Sequence, residues 1–305
     1  MKLMLAVLLF LVVSCGLVSA ADSPFEANAK PIMLLENGAG EGPAWHPQLG
    51  LLASGGGNIN RYSLAGKLSV HRKAAGTNGL LFDRSGRLLA CEAQARRVSR
   101  TALDGSITIL TKDYRGKRYN QPNDLTVDSQ GRIYFSDPKY GPRTNMEIVD
   151  AAGRKVEGVY RIDTDGSVTR IITHEADRPN GLLVTPDDRF LYVADNNNNT
   201  VGGAHKLWRF DLQKDGSISV ESRKLIYDWG TERGPDGMTL DVKGRLYVAG
   251  GRNKPSPPYE TADKHKGGIS VFSPKGKLLA FIHIPRDEVT NCAFGGGDQI
   301  GRAHV

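Results

Sequence analysis

One short phrase recurs six times along the chain, and it constrains the fold more than any other feature. It reads Glu41-Gly-Pro-Ala-Trp, Asn78-Gly-Leu-Leu-Phe-Asp and Asn123-Asp-Leu-Thr-Val-Asp, then Asn180-Gly-Leu-Leu-Val, Asp236-Gly-Met-Thr-Leu-Asp and Asn291-Cys-Ala-Phe. Successive copies lie 37, 45, 57, 56 and 55 residues apart. Periods of this size belong to solenoids and propellers, whose units bury their apolar faces only against neighbours. Each copy is expected to place one oxygen-bearing side chain on a tight turn before a short apolar strand. Rotation about a common axis would carry the six side chains to one radius and height, facing one another.

Between copies the plan is constant. In the second repeat, Leu80–Phe82, Arg87–Glu92, Arg97–Thr101 and Ser106–Leu110 read as strands. A first hairpin falls at Asp83-Arg-Ser-Gly86 and recurs at Asp128–Gly131, Pro186–Asp188 and Asp241–Gly244; a second falls at Asp104-Gly105 and recurs at Gly66, Gly166, Gly216 and Gly276. Glycine there supplies the positive φ of tight turns. The expectation is an all-β chain, a six-bladed β-propeller of four-stranded antiparallel blades over residues 30–299, with the last blade incomplete. The strand Pro31–Glu36 would complete that blade from outside. Two longer connections, Lys139–Glu157 and Arg252–Lys266, read as loops over one rim. Residues 300–305 break the pattern and read as a non-native tail.

Residues 1–20 have one Lys, an apolar core from Leu3 to Val13 and a small-residue site ending at Ala20, the marks of a secretory signal. The expected location is therefore outside the cytoplasm, periplasmic or secreted. The alternative is a lipoprotein signal over 1–14, with a lipid anchor on Cys15. No other segment is long and apolar enough for a transmembrane span. The formal charge of +7 is spread along the chain, with no basic stripe or reading motif, so nucleic acid is not an expected partner. Of three cysteines, Cys91 and Cys292 fall in distant repeats and read as small buried apolar residues, with no disulfide framework.

The chemistry of the six phrases is uneven. Glu41 and Asp236 are carboxylates, while Asn78, Asn123, Asn180 and Asn291 offer amide oxygens. Two negative charges with amide oxygens, and no His or Cys alongside, suit one hard divalent cation. Ca2+ is favoured, with Mg2+, Mn2+ or Zn2+ as alternatives. Asn-Gly and Asp-Gly are also ordinary turn residues, but the hairpins already carry their own turn signals and Glu41 is a poor turn former. The chain has no Gly-x-Ser-x-Gly elbow, His-Glu-x-x-His or phosphate-cradling glycine loop. Its histidines are scattered and read as strand-edge or loop residues.

At these residues the chain resembles the regucalcin and gluconolactonase family of six-bladed propellers, from about Leu35 to Gly296. The most specific pieces are Gly40-Glu-Gly-Pro-Ala-Trp45, Cys91-Glu92, Asn123-Asp124, Tyr134-Phe-Ser-Asp-Pro-Lys-Tyr-Gly141, Arg178-Pro-Asn-Gly181 and Gly234-Pro-Asp-Gly237. Several spellings are closest to bacterial gluconolactonases. The resemblance implies a metal held by Glu41, Asn180 and Asp236, with Asn123 close to metal and substrate. It further implies hydrolysis of sugar lactones, glucono-1,5-lactone above all, with organophosphate hydrolysis in some relatives. Gln121 departs from the animal branch, which carries a substrate-contacting Arg there; Arg118 is the candidate substitute, and Asn78 a further substrate contact. The general base is Asp236, as the resemblance implies, or Asp124, whose carboxylate would be less depressed by the cation. The alternative functions are a phosphoester hydrolase on the same metal and a calcium-binding propeller without turnover.

Overall fold

The hairpins carry their own chemistry. In Asp83-Arg-Ser-Gly-Arg87, Asp83 Oδ1 accepts the N–H groups of Ser85 and Arg87, and Oδ2 takes Arg87 Nε at 2.7 Å. Gly86 closes the turn at φ +73. The same Asp-x-x-Gly-Arg clamp recurs at Asp128–Arg132, Asp150–Arg154 and Asp241–Arg245. Each clamp pins a register, and the one most open to solvent, Arg154 with Asp150, adds little stability of its own.

The computed structural model describes residues 40–63 and 65–295, and the backbone of residues 303–304. Blade one is β1 (Glu41–His46), β2 (Gly50–Gly55), β3 (Asn58–Tyr62) and β4 (Leu68–Arg72). Blade two is β5 (Leu80–Phe82), β6 (Leu88–Glu92), β7 (Arg97–Thr101) and β8 (Ile107–Thr111). A small hairpin, β9 (Asp113–Tyr114) and β10 (Lys117–Arg118), leads to blade three: β11 (Leu125–Val127), β12 (Ile133–Asp137), β13 (Gly158–Ile162) and β14 (Val168–Ile172). Blade four is β15 (Pro179–Val184), β16 (Phe190–Asn196), β17 (His205–Leu212) and β18 (Ile218–Asp228). Blade five is β19 (Pro235–Leu240), β20 (Leu246–Gly250), β21 (Gly268–Phe272) and β22 (Leu278–His283). Every blade is antiparallel and in chain order from the innermost strand outward.

Among the described residues there are thus five four-stranded blades, not the six expected. The sixth phrase supplies only β23 (Ala293–Phe294), which pairs over two residues with β24 (Ala303–His304). The ring is nevertheless continuous at its centre. Each inner strand packs on the next, β1 on β5, β5 on β11, β11 on β15, β15 on β19 and β19 on β23, and β23 packs back on β1. The repeat therefore counted positions on the ring, and among the described residues the sixth position is held by an inner strand backed only by the two-residue pairing with β24. The leader, the proposed closing strand 31–36 and the side chains of the tail lie outside the described residues.

Burial follows position in the blade. Strands β6, β12, β15, β20 and β21 are buried at every residue, whereas β4 and β8 are largely exposed. The apolar clusters lie between blades: Leu52 and Ile59 meet Leu80 and Leu88, Tyr134 and Val159 meet Leu182 and Leu191, and Leu183 and Leu207 meet Met238 and Leu246. Cys91 and Cys292 are buried and unpaired, as their positions in the repeat implied. No helix among the described residues is long and apolar enough to cross a membrane.

Candidate active site

The repeated phrase does not sit on tight turns, as its sequence suggested. It lies at the start of each inner strand, at a β-bulge. Register shifts occur between Glu41 and Ala44, Pro179 and Leu182, and Pro235 and Met238. In blade two Asn78 N donates to Cys91 O while Cys91 N donates to Gly79 O; in blade three Asn123 N donates to Ser136 O while Ser136 N donates to Asp124 O. Two inner residues thus face one partner in every blade, and such a bulge re-aims a side chain away from the regular pleat.

Gly42, after Glu41, has φ +53 as well as a close neighbour, but the glycines after Asn78, Asn180 and Asp236 are explained by proximity and not by φ. A Cβ on Gly79 would lie 2.6 Å from Asn123 O of the next blade, and one on Gly181 would overlap Asp236 O. Blade three carries Asp124 at the equivalent place, and there the side chain itself reaches across, Leu182 N donating to Asp124 Oδ2 at 3.0 Å. We expect Gly181→Ala to lower stability by about 3 kcal/mol, because the obstructing atom is backbone and cannot swing aside. Thermal denaturation should show a fall on the order of 10 °C; an unchanged Tm would mean that the inner strands separate freely.

These bulges gather the carboxylates. Glu41, Asp124 and Asp236 each keep some solvent-accessible surface but are densely surrounded by protein. Burial pushes Glu41 up to about 7, opposed by a hydrogen bond from Thr290 and reinforced by the charges of Asp124 and Glu288. Asp236 is raised well above the usual carboxylate range by burial and then by the Glu41 charge, with Arg233 pulling the other way. Asp124 rises to about 6 through burial, tempered by the Leu182 and Leu125 N–H groups. Two carboxylates that resist ionising together are a site short of positive charge.

The amides divide. Asn180 is buried, and its Nδ2 donates to Tyr140 Oη at 2.7 Å. Tyr140 also senses the Asp236 charge, so Asn180 and Asp236 share one neighbourhood. Asn123 is buried beside Asp124, and Asn78 is half-buried in blade two. Arg118 is not brought in: it is exposed on β10, where its N–H is held by Glu147 and its carbonyl by Arg96. Gln121 accepts the Tyr140 N–H at 2.9 Å.

Several neighbours of the site escaped the sequence reading. Arg233, three residues before Asp236, is buried and held by Glu260 at 2.5 Å and Glu288 at 3.0 Å. Arg178 is 1% exposed, bonded to Glu157 at 2.7 Å, with its guanidinium 5.2 Å from the Tyr140 ring centroid. The two rim loops thus deliver Tyr140, Glu157 and Glu260 to the site's margin. Arg-Pro-Asn-Gly and Arg-Gly-Pro-Asp-Gly, with Arg just ahead of the axial residue in both, were the available signal. His205, read as a strand-edge or loop residue, is fully enclosed and hydrogen-bonded to Gly230 O.

Among the described residues no three His, Cys, Asp or Glu side chains are gathered as a metal-holding group. Any cation on the axis would take its remaining donors from amides. The donor set fits one: Tyr140 engages the nitrogen of Asn180, leaving Oδ1 as the available acceptor, beside two carboxylates whose mutual repulsion a cation would relieve. A groove of about 590 Å³ lies off the axis between blades three and four. Its Glu157 is already paired with Arg143, and its Asp195 accepts the Trp208 indole N–H, so convergent chemistry points to the axis instead.

Ring and site together define a β-propeller with a carboxylate-and-amide centre, a constellation for a hard cation. The chain belongs to the family described as the SMP-30/gluconolactonase/LRE-like region, which matches residues 39–302. It is 30% identical over 231 residues to a gluconolactonase of Zymomonas mobilis, covering 73% of this chain and 59% of that protein's length. It is 29% identical over 271 residues to a pentonolactonase of Haloferax volcanii, covering 85% and 78%. A solved gluconolactonase of Xanthomonas campestris superposes with a TM-score of 0.66 at 30% identity, covering 85% and 80%.

Proposed function

We propose that the chain is an exported, metal-dependent sugar lactonase that opens glucono-1,5-lactone or a related aldonolactone to its open-chain acid. The observation that carries this is the convergence of Glu41, Asp124 and Asp236 on buried amides, in a chain whose relatives include a gluconolactonase and a pentonolactonase. Glu41, Asp236 and Asn180 would hold the cation, Ca2+ by donor type. When bound, it supplies Lewis-acid polarisation of the lactone carbonyl.

The chain's own residues do the rest. Asn123 and Asn78 offer amides to the sugar hydroxyls. Asp124, fixed by the Leu182 N–H and raised to about 6, accepts the proton of the attacking water near neutral pH. As water adds, the ring C–O bond breaks, and that proton passes to the departing alkoxide, giving a hydroxy acid. Export rests on the leader pattern of residues 1–20. Titrated at constant pH with glucono-1,5-lactone, the protein should release acid with Ca2+ and stop on chelation. Asp124→Asn should lose roughly 10²–10⁴-fold in kcat, the usual contribution of general base catalysis. A cation-loaded protein that opens no aldonolactone would overturn the reading.

A further inference from the structure

The Tyr140 hydroxyl occupies a decisive position that the lactonase reading leaves unused. It sits between two partners: the side-chain Nδ2 of Asn180 at 2.7 Å and the backbone carbonyl of Asn196 at 3.3 Å. The phenol has one proton. Asn196 O is a carbonyl and can only accept, so it draws that proton, and the phenol oxygen must then accept from its other neighbour. Asn180 can satisfy this only with its nitrogen. The alternative rotamer, with Oδ1 toward Tyr140, would leave either that oxygen or the Asn196 carbonyl without a donor.

The ring itself is immobilised. The buried Arg178 guanidinium lies 5.2 Å from its centroid and is tied to Glu157 through two hydrogen bonds of 2.7 and 3.1 Å. The Tyr140 N–H is held by Gln121 Oε1 at 2.9 Å. This gives Gln121, the position that departs from the animal branch, a definite task in this chain. A side-chain amide has two nearly isosteric ends, and only one can face a cation. We infer that Tyr140 is the positioning residue that locks the Asn180 amide with its oxygen toward the ring axis, and so sets the affinity of the axial site for a hard cation.

This rests on the cation-holding reading above. The test uses Ca2+ itself, titrated calorimetrically into the metal-free protein. Tyr140→Phe keeps the ring against Arg178 and removes only the hydroxyl, so the fold should be retained, and Kd for Ca2+ should rise roughly 10–100-fold, as for loss of an outer-shell partner. The decisive arm repeats the substitution in an Asn180→Asp background. A carboxylate has oxygen at both ends, so orientation no longer matters and the effect of Tyr140→Phe should vanish. A merely structural tyrosine would impose the same fold-loss in both backgrounds, and that result, or an unchanged Kd in the single variant, overturns the inference. A wild-type protein that binds no Ca2+ would remove the cation reading and this inference together.

Discussion

Asp236→Asn is expected to abolish cation binding and lactone turnover, and at the same time to make the cation-free protein more stable. The two halves have one cause. Without a cation, Asp236 is held far above its ordinary ionisation range, first by burial and next by the neighbouring Glu41 charge. Arg233 opposes these effects but is already engaged by Glu260 and Glu288, so it is a divided counterion. Burial beside Glu41 opposes an ionisation that the unfolded chain undergoes freely, so the native state bears a cost there, and asparagine removes it with little change of shape. Relief of a poorly compensated buried acid is worth a few kcal/mol, which calorimetry of the metal-free protein should register as a Tm higher by several degrees. Turnover moves the other way. Loss of one of two anionic donors removes several kcal/mol of transition-state charge stabilisation, so kcat/KM should fall by about a thousandfold or more. If the metal-free variant is instead less stable than the parent, Asp236 is a structural partner of Arg233, and its assignment to the cation fails.

The same contrast shows what the sequence could convey. The period of the phrase revealed a closed all-β ring, because each inner strand repeats the same burial problem. It did not reveal the number of blades. The sixth copy, at Asn291, supplies an inner strand with only a two-residue pairing behind it among the described residues, and the phrase marks only that innermost place. The kind of chemistry was legible as well, since Glu41, Asn180 and Asp236 declare hard oxygen donors wherever they lie. Their setting was not. Asn-Gly and Asp-Gly spell a turn by propensity, yet Gly79 and Gly181 are there because the next blade's backbone leaves no room for a Cβ. That requirement is tertiary and has no local signature. Arg118 failed for a similar reason: proximity in sequence to Gln121 said nothing about a two-residue hairpin that carries it to the surface. Tyr140 reaches Asn180 through packing between blades, which a one-dimensional pattern does not encode, whereas Arg233 had its signal in the Arg-Gly-Pro-Asp-Gly spelling.

In metal-free protein, Tm should fall as pH rises from about 5 to about 8, and Ca2+ should restore more stability at the upper end than at the lower. The sign follows from the direction of the shifts. Glu41 goes from 4.5 to about 7 and Asp124 from 3.8 to about 6, both chiefly through burial. Between the unfolded and folded values the unfolded chain has already released protons that the native state still holds, so raising pH favours unfolding. One unit of such displacement corresponds to about 1.4 kcal/mol, so Glu41 alone accounts for a loss on the order of 3 kcal/mol once pH passes 7. Asp137, raised to about 8 by burial on β12, contributes a decline of the same sign. It accepts the Asn120 and Gln121 N–H groups rather than facing Glu41, so a cation should leave its share untouched. The two contributions are separable: Asp137→Asn should flatten part of the pH dependence without altering the Ca2+ increment. Protons compete with the cation for Glu41 and Asp236, so that increment should shrink toward pH 5. Thermal denaturation across this range, with and without Ca2+, reads both quantities. An increment equal at pH 5 and pH 8 would mean that the cation binds away from these carboxylates, because no other arrangement frees it from their protons.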